Sequence, residues 1–444
     1  MSELPNGWKL EYLVKYLQYV PTGVGVFEGT KKYYSTGSIA KNEIAPEGTY
    51  IFSDKPSRAN RLVIKNDLIQ ARMKSTNKAT LINDQLSGGL VSTGFIQIRI
   101  PDEKYLPLLA YHYLNSDIFL TQRDDYATGS TQEALTDTGL KKITIPVPPL
   151  SEQQKIVDRL ELLLGKINPA NERLNKIPAI LERFRQSVLS AACSGRLTED
   201  WREGNICENS QNLINKSITA RNRQSKKQYS AIDIGFDFIK YAQAELPKTW
   251  LWTAIANYGV CSRGRFSIRP RNDPRCYDGE YPFIQIGDLP REGGFINSHK
   301  QTLNDFGLKT SKMFPRGTVV IAIVGATIAN TGILAYDMCF PDSMVGVETG
   351  TEAGNKYIEY YLRFVKEDIR QISYAGGGQP NIKLETLEPY PMPLPPLPEQ
   401  EEIIRRVDKM FAIADKIEER YNKVKRQLER AEKAIYAKAF RGEL

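Results

Sequence analysis

The sequence PLSEQ at residues 149–153 recurs as PLPEQ at residues 396–400, and this repeat decides the architecture. From these starting points the two copies align without a gap at an offset of 247 residues, so that Ile156 matches Ile403. A weaker repeat opens each half, matching Leu4, Pro5 and Trp8 with Leu246, Pro247 and Trp250. Self-similarity at a fixed spacing is the signature of a duplicated architecture. The chain is therefore interpreted as a tandem duplication.

Both repeated tails place apolar residues in alternating steps of four and three, which is the spacing of a coiled-coil seam. We call the following the seam residues: Ile156, Leu160, Leu163, Leu174 and Leu181 in the first copy, and Ile403, Val407, Met410, Ile417 and Leu428 in the second. Two long helices of equal register favour pairing with each other, although an amphipathic helix lying on a globular core remains the alternative. Pro169 and Pro178 are expected to bend the first helix.

Before each helix lie residues of another character, with short β-rich runs broken by turns and a helical stretch near the end. Residues 283–286 and 319–323 are predicted strands, and residues 105–120 and 356–372 are each predicted to form one helix. The predicted fold class is α+β, with two α/β recognition domains that are each followed by a long helix. The expected boundaries are a first recognition domain at 1–148, a first repeated helix at 149–200, a polar linker at 201–240, a second recognition domain at 241–395 and a second repeated helix at 396–444.

Composition favours a folded protein that binds a polyanion. The charged fraction is 25%, the net charge is +8 and the isoelectric point is near 9.0. Lysine and arginine displace the counterions condensed on a phosphate backbone, so a basic balance is typical of nucleic-acid partners. Five scattered cysteines form no C-x-x-C pair, and the sequence begins without an apolar leader. These features predict a cytoplasmic protein with reduced thiols and no membrane partner.

Basic and polar clusters in the two globular regions are candidate DNA-binding residues. The candidates are Lys31, Lys32, Gln70, Arg72 and Lys74 in the first region, and Arg263, Arg265, Arg269, Arg271, Gln285 and Gln379 in the second. Arginine makes bidentate contacts to guanine and phosphate, and glutamine pairs with adenine. A solvated arginine loop and an ordinary exposed strand face are the alternatives for these clusters.

Motifs of catalysis are not found in the sequence. There is no phosphate-binding G-x-x-x-x-G-K-[ST] loop, no strand–G-x-G-x-x-G–helix unit and no Asn-Pro-Pro-aromatic tetrad of an amino-methyltransferase. His112 and His299 are isolated, which favours structural roles over metal binding or catalysis. The prediction is a chain that is not an enzyme, with no catalytic residues, metal or bound cofactor.

The repeated tails resemble the specificity subunit of type I restriction–modification enzymes. The resemblance is carried by IPVPPLSEQ at 145–153 and MPLPPLPEQ at 392–400, each leading into a heptad helix. These helices end with an Ala-x-x-Gly-x-Leu pattern at 192–197 and 439–444, and the resemblance covers the whole chain.

The resemblance implies that each globular domain reads one half of a split double-stranded DNA target. It also implies that two methyltransferase subunits dock on this chain and that ATP-dependent restriction subunits join them. S-adenosylmethionine would then belong to the partner methyltransferase. We expect the two helices to form an intramolecular antiparallel coiled coil with pseudo-twofold symmetry, which sets the distance between the readers. The rival functions are a coiled-coil scaffold without sequence specificity and an enzyme that both reads and modifies DNA.

Overall fold

The computed structural model describes residues 4–39, 44–101, 104–130, 132–224, 228–235, 237–238, 242–374 and 381–444. The chain divides into two compact units. Unit 1 comprises Met1–Ile177 and Arg420–Leu444, and unit 2 comprises Pro178–Glu419. Unit 1 is thus assembled from two segments that are distant in sequence.

In the described part of its first segment, unit 1 contains short strands and five α-helices. The strands are β1 Lys9–Tyr12, β2 Gln18–Val20, β3 Lys31–Tyr34, β4 Gly48–Tyr50, β5 Ala59–Leu62, β6 Leu68–Ala71, β7 Ala79–Leu81, β8 Leu90–Ser92, β9 Phe95–Arg99, β10 Ala127–Thr128, β11 Ala134–Leu135 and β12 Thr144–Val147. The helices are α1 Leu13–Tyr16, α2 Pro107–Asn115, α3 Asp117–Asp125, α4 Asp137–Leu140 and α5 Leu150–Leu174.

Two four-stranded sheets, in the orders β2-β9-β6-β7 and β4-β3-β8-β5, form the body of unit 1. The strand β1 pairs antiparallel with β12, and we call this pair the first ribbon. The sequence predicted one helix around residues 105–120, but two helices are present. Ser116 separates them, because its hydroxyl accepts a hydrogen bond from Phe119 N at 3.3 Å and caps the second helix.

Unit 2 repeats this plan with a larger sheet. Its strands are β13 Leu251–Ala254, β14 Val260–Arg263, β15 Tyr277–Phe283, β16 Phe295–Ile296, β17 Gln301–Leu303, β18 Met313–Phe314, β19 Val319–Ala322, β20 Thr331–Leu334, β21 Met338–Cys339, β22 Met344–Glu348 and β23 Pro391–Leu394. Its helices are α6 Ile177–Cys193, α7 Glu199–Gly204, α8 Gln211–Gln224, α9 Ile255–Tyr258, α10 Asp305–Thr310, α11 Glu352–Phe364, α12 Lys366–Tyr374 and α13 Leu384–Leu387, followed by the start of α14 Leu397–Ala439.

The sheets of unit 2 have the orders β14-β22-β19-β20-β16 and β17-β15-β21-β18, and β13 pairs antiparallel with β23 in a second ribbon. The predicted strand at 319–323 is β19. A strand was predicted at 283–286, but the observed strand β15 ends at Phe283. A 3₁₀ turn follows at Ile286–Asp288, so the prediction was right only for Phe283. The side chain of Asp288 accepts from Gln285 N at 2.9 Å, which stabilises the turn in place of a strand.

Each ribbon is fixed to the helix that follows it by the same set of contacts. Trp8 Nε1 donates to Glu152 at 2.8 Å in unit 1, and Trp250 Nε1 donates to Glu399 at 2.7 Å in unit 2. Both glutamates lie in the first turn of a long helix, where a negative charge is favourable. The repeated sequence therefore builds the same ribbon-to-helix joint twice.

Both long helical segments contribute to the core of each unit. In unit 1, Ile156 and Leu160 near the start of α5 share a core with Tyr436 and Phe440 near the end of α14. In unit 2, residues at the end of α6 share a core with residues at the start of α14: Val188, Leu189 and Ala192 with Ile403 and Val407. Within each unit, then, the beginning of one repeated helix packs with the end of the other.

The first repeated helix is interrupted, whereas the second is continuous. Helix α5 runs through Pro169 and ends at Leu174, and α6 begins at Ile177, directly before Pro178. A proline disfavours the helical conformation of the residue before it but is tolerated in a first helical turn, so Pro178 suits the start of α6. The interruption lies beside Pro178 and not at Pro169, although a bend was expected at both.

Among the described residues, no helix combines the length and apolar character needed to cross a membrane. The cysteines Cys193, Cys207, Cys261, Cys276 and Cys339 are free thiols.

Candidate nucleic-acid interface

In unit 1, Lys31 and Lys32 lie on β3 beside an aromatic pair. Lys32 is exposed, and Lys31 Nζ donates to Gly88 O at 3.3 Å while lying 5.2 Å from the ring centroid of Phe27. The ring of Phe27 meets that of Phe52 edge-on at 5.5 Å. Lys31 therefore lies over an aromatic pair and Lys32 extends into solvent, and both charges suit contacts to phosphates or base edges.

Two basic residues that the sequence analysis missed extend this surface. Lys55 Nζ lies 5.5 Å from the ring centroid of Phe52, and Arg58 is exposed just before β5. Within the described residues, Arg58 makes no ion pair with a carboxylate. They were missed because single cations spread over a loop give no cluster in the sequence, although Lys55 shares the Phe27–Phe52 pair with Lys31 in the fold.

Gln70 lies in the interior of unit 1 and not on an exposed strand edge. It is fully buried, and its amide donates to Leu114 O at 3.0 Å and accepts from Lys78 N at 3.1 Å. All four residues of β6 are buried, because this strand lies between β9 and β7. The alternation of Gln70 with Arg72 reflects internal hydrogen bonding in this strand.

Arg72 and Lys74 are both paired with carboxylates. Arg72 Nη1 lies 2.7 Å from Asp137, and its Nη2 donates to the Tyr19 hydroxyl at 2.8 Å. Burial raises the pKa of Asp137, but hydrogen bonds from Arg72 and Tyr19 outweigh that effect and leave the pKa below its usual value. Lys74 Nζ lies 2.5 Å from Glu133, and both side chains are about half exposed. These two cations are less available to a phosphate than Lys32.

In unit 2, Asp342 gathers three of the predicted arginines. Arg263 Nε donates to the Asp342 carbonyl at 2.7 Å, and Arg271 Nη2 lies 2.5 Å from the Asp342 carboxylate. Arg269 is 3.5 Å from the same carboxylate and also donates to Phe266 O at 2.8 Å. One acid among three arginines leaves the cluster cationic. We call these four residues the arginine cluster.

The remaining candidates of unit 2 lie in different settings. Arg265 is exposed and its Nε donates to Ser311 O at 3.0 Å, outside the hydrogen bonds of the arginine cluster. Gln285 is exposed and its amide donates to Gln301 at 2.6 Å. Gln379 lies outside the described residues. Asp342 is the residue that sequence reasoning missed, since it stands about 70 positions from the arginines it holds.

The seam residues differ in burial along the helices. Five are buried, namely Ile156, Leu160, Leu181, Ile403 and Val407, and Met410 is half-buried. Leu163, Leu174 and Leu428 are half-buried, and Ile417 is 42% exposed. The exposed fraction is thus smallest near the helix ends that join the cores and largest near the middle of α14.

In the part of the chain that the structure describes, His, Cys, Asp and Glu do not form a group of three or more arranged to hold a metal ion. Both cationic surfaces carry ammonium or guanidinium donors, the groups that bind phosphate and guanine acceptors. The arrangement in each unit can bind a polyanion.

Comparisons with known proteins identify the family of the chain. A family model described as the type I restriction modification DNA specificity domain matches residues 26–179 and again residues 263–426. The chain is 26% identical over 435 residues to the type I restriction enzyme EcoBI specificity subunit of Escherichia coli, which covers 94% of this chain and 78% of the relative. It is 27% identical over 355 residues to the EcoKI specificity subunit of Escherichia coli strain K12, covering 79% of this chain and 68% of that one.

The fold is also found in a solved structure. A chain of a type I R-M system, studied for its complex assembly and conformational transition, matches with a TM-score of 0.71 and 21% identity, over 100% of both chains. The duplicated fold and the matched segments define the class, which comprises the proteins that give restriction–modification systems their DNA specificity. The chain belongs to the type I restriction modification DNA specificity family, since the matched segments together cover more than half of its 444 residues.

Proposed function

We propose that the protein is the specificity subunit of a type I restriction–modification complex, in which it recognises DNA by sequence. Each globular region reads one half of a bipartite target. The observation that carries this proposal is the double match to the family, once in each half of a duplicated chain. The separate cationic surfaces on β3 and at the arginine cluster support one reader in each unit.

The domain boundaries of this proposal follow the repeat. The first recognition domain is 1–148 and the second is 241–395, with repeated helices at 149–200 and 396–444 and a polar linker at 201–240. Lys31, Lys32, Arg263, Arg265, Arg269, Arg271 and Gln285 are proposed contacts, and Lys55 and Arg58 extend them. Gln70, Arg72 and Lys74 are engaged within unit 1, and their proposed role is to hold the reading surface in shape.

The two repeated helices are proposed to pair as an intramolecular antiparallel coiled coil that fixes the spacer between the half-sites. The packing of opposite helix ends in each core supports this arrangement. Helix α14 has 43 residues, so it is roughly 65 Å long at 1.5 Å per residue. Such a rod is long enough to hold two readers one DNA turn apart, about 34 Å.

The chain is proposed to be non-catalytic and to recruit two methyltransferase subunits and the restriction subunits. S-adenosylmethionine would be held by the methyltransferase. The same ribbon-to-helix joint occurs once in each unit, and this repetition supports two similar docking positions.

Methylation mapping with the partner methyltransferase tests the function. We expect a two-part motif with an unread gap, and exchanging residues 1–148 for those of another specificity protein should change one half of the motif only. Uniform methylation without a motif would contradict sequence-specific recognition and would favour a coiled-coil scaffold without sequence specificity. Methylation by the purified chain alone would contradict the non-catalytic assignment.

Insertion of four residues at equivalent positions of both long helices tests whether these helices set the distance between the half-sites. The unread gap should lengthen while both half-sites stay the same, because the added turn separates the readers without touching them. An altered half-site with an unaltered gap would refute the coiled-coil spacer.

A further inference from the structure

In unit 2, two exposed glutamines on neighbouring strands are joined through their side-chain amides. Gln301 is the first residue of β17, where it is the cross-strand partner of Phe283 on β15. Gln285 follows the end of β15 by two positions, and its Nε2 donates to Gln301 Oε1 at 2.6 Å. Both glutamines are exposed, whereas Phe283 is buried. We call Gln285 and Gln301 the glutamine pair.

The orientation of the glutamine pair is set by the 3₁₀ turn at Ile286–Asp288. The Gln285 side chain accepts from Asp288 N, and the Asp288 carboxylate accepts from Gln285 N at 2.9 Å. Because only the oxygen of a carboxamide accepts, the Gln285 oxygen faces the turn and its Nε2 is left to donate to Gln301. Gln301 accepts with its oxygen, and its Nε2 has no hydrogen-bond partner among the described residues. The Gln301 amide is thus held by its oxygen, with both N–H groups open.

An amide held in this way presents a donor and an acceptor side by side. The oxygen of Gln301 keeps a second lone pair beside the open N–H groups. In the major groove, adenine offers the complementary pattern, the N7 acceptor next to the N6 donor, whereas guanine offers two acceptors. Fixing the amide before DNA binds reduces the cost of ordering it, and it excludes the inverted amide, which would place donor against donor.

The charges around the glutamine pair permit a close approach of DNA. The side chain of Lys300 is 80% exposed, and its Nζ lies 3.4 Å from the Asp288 carboxylate, so the lysine compensates the acid that caps the turn. Phe283 contacts Phe266 at 5.0 Å between ring centroids, and Phe266 O accepts from Arg269 of the arginine cluster. The glutamine pair and the arginine cluster therefore adjoin the same aromatic contact.

We propose that Gln301 reads an adenine in the half-site recognised by unit 2, and that Gln285 positions the Gln301 amide for this contact. Gln285 keeps one N–H for a phosphate contact of its own. The inference rests on the proposed function, since it names a base that one of the two readers recognises. Gln301 was not a candidate in the sequence, because a single glutamine on a short strand forms no cluster there.

Methylation mapping with the partner methyltransferase tests the assignment. Gln301→Ala should relax one adenine position of one half-site, with discrimination against the other bases falling by roughly tenfold, the value of a bidentate amide contact. Gln211→Ala is the matched control, because Gln211 is also exposed and also donates to an amide oxygen, that of Asn215, and the motif should not change.

The outcomes of this mapping separate the inference from the proposed function. A wild-type motif that Gln301→Ala leaves unchanged at every position overturns the inference alone. Relaxation at a G·C position, or in both half-sites, also overturns it. A wild-type complex that methylates without any motif overturns both.

Gln285→Glu tests the positioning role. The new carboxylate can still accept from Asp288 N, but it cannot donate to Gln301 Oε1, so the Gln301 amide turns its N–H groups towards the carboxylate. The same adenine position should relax as in Gln301→Ala, while the other positions keep their discrimination. Loss of discrimination at all positions alike would show a structural role for Gln285 and contradict positioning.

DNA analogues test the contact without any substitution in the protein. The adenines of the half-site that exchange of residues 1–148 leaves unchanged are replaced one at a time by 7-deazaadenine, which lacks the N7 acceptor. One replacement should lower the affinity of the wild-type complex by roughly tenfold, and it should have almost no effect on Gln301→Ala, which has already lost the contact. Equal losses in both proteins, or no loss at any adenine in the wild type, would overturn the assignment.

Discussion

Unit 1 and unit 2 contain the same ribbon-to-helix joint, but the glutamate of this joint has more hydrogen-bond partners in unit 2 than in unit 1. In both units a tryptophan directly before the first strand of the ribbon donates to a glutamate in the first turn of a long helix. In unit 2 that glutamate is also held by Thr198 and Arg202, whereas Glu152 of unit 1 has the tryptophan alone among the described residues. The repeated residues therefore form the same joint in both units. The neighbouring side chains, Thr198 and Arg202 in unit 2, determine how much each joint contributes to stability.

The largest expected effect separates the two joints. Glu399→Ala should destabilise unit 2 by about 4 kcal/mol, because it leaves a buried arginine contact without its acid. Glu152→Ala should cost unit 1 only about 1 kcal/mol, the value of one hydrogen bond. Denaturant unfolding followed by tryptophan fluorescence measures both. Equal losses would show that Thr198 and Arg202 add nothing to the joint.

The buried isoleucines near the start of the two long helices should contribute equally to the stability of the two units. Ile156→Ala and Ile403→Ala each remove a buried side chain, so each should cost about 3 kcal/mol. Ile417→Ala is the control, and because Ile417 is 42% exposed it should cost about 0.5 kcal/mol. Thermal unfolding of the three variants gives the comparison. A large loss at Ile417 would mean that the middle of α14 is packed as tightly as its ends.

Acid should weaken unit 1 before unit 2. His112 Nε2 lies 2.7 Å from Glu161, and the equivalent pair in unit 2 is Tyr360 with Asp408. Burial lowers the pKa of His112 even though Glu161 opposes this shift. The unfolded chain therefore takes up a proton near pH 6.5 while folded unit 1 does not, so stability is full above that pH and falls as the pH drops towards the folded pKa.

The pH effect is measured as the unfolding temperature between pH 7.5 and about pH 5, the range in which histidine titrates. His112→Phe should remove the slope assigned to unit 1, whereas Tyr360→Phe should keep it, because burial and Asp408 raise the pKa of Tyr360 above this range. A slope that survives in His112→Phe would assign the acid sensitivity to other groups.

The smallest expected effect concerns DNA affinity. Lys32→Ala should lower binding to all sequences alike and reduce the slope of log K against log salt by about 1, the effect of one phosphate contact. Lys216→Ala is the control, since Lys216 lies on α8 and is 75% exposed. Binding titrations at several salt concentrations measure the slope. A loss restricted to one DNA sequence would instead assign Lys32 to a base contact.

The duplication and the long helices were predictable from the sequence, because a gapless repeat and a heptad pattern are local signals. The helix pairs α2–α3 and α11–α12 were each predicted as one helix, since a single cap such as Ser116 does not disturb the apolar pattern. The reading surfaces were predictable only in part. Gln70 lies in the core and Asp342 organises distant arginines, and both facts depend on tertiary contacts that a sequence pattern does not encode.

The assignment of Arg420–Leu444 to unit 1 affects how the protein is made. During translation the first 177 residues emerge early, but their core lacks Tyr436 and Phe440 until all of unit 2 has been synthesised. Contiguous unit 2 can fold as it leaves the ribosome, whereas nascent unit 1 exposes an apolar gap for that whole interval. Unit 1 is thus the first unit to be synthesised and the last whose core is completed. Its exposed apolar surface is of the kind that chaperones bind during that interval.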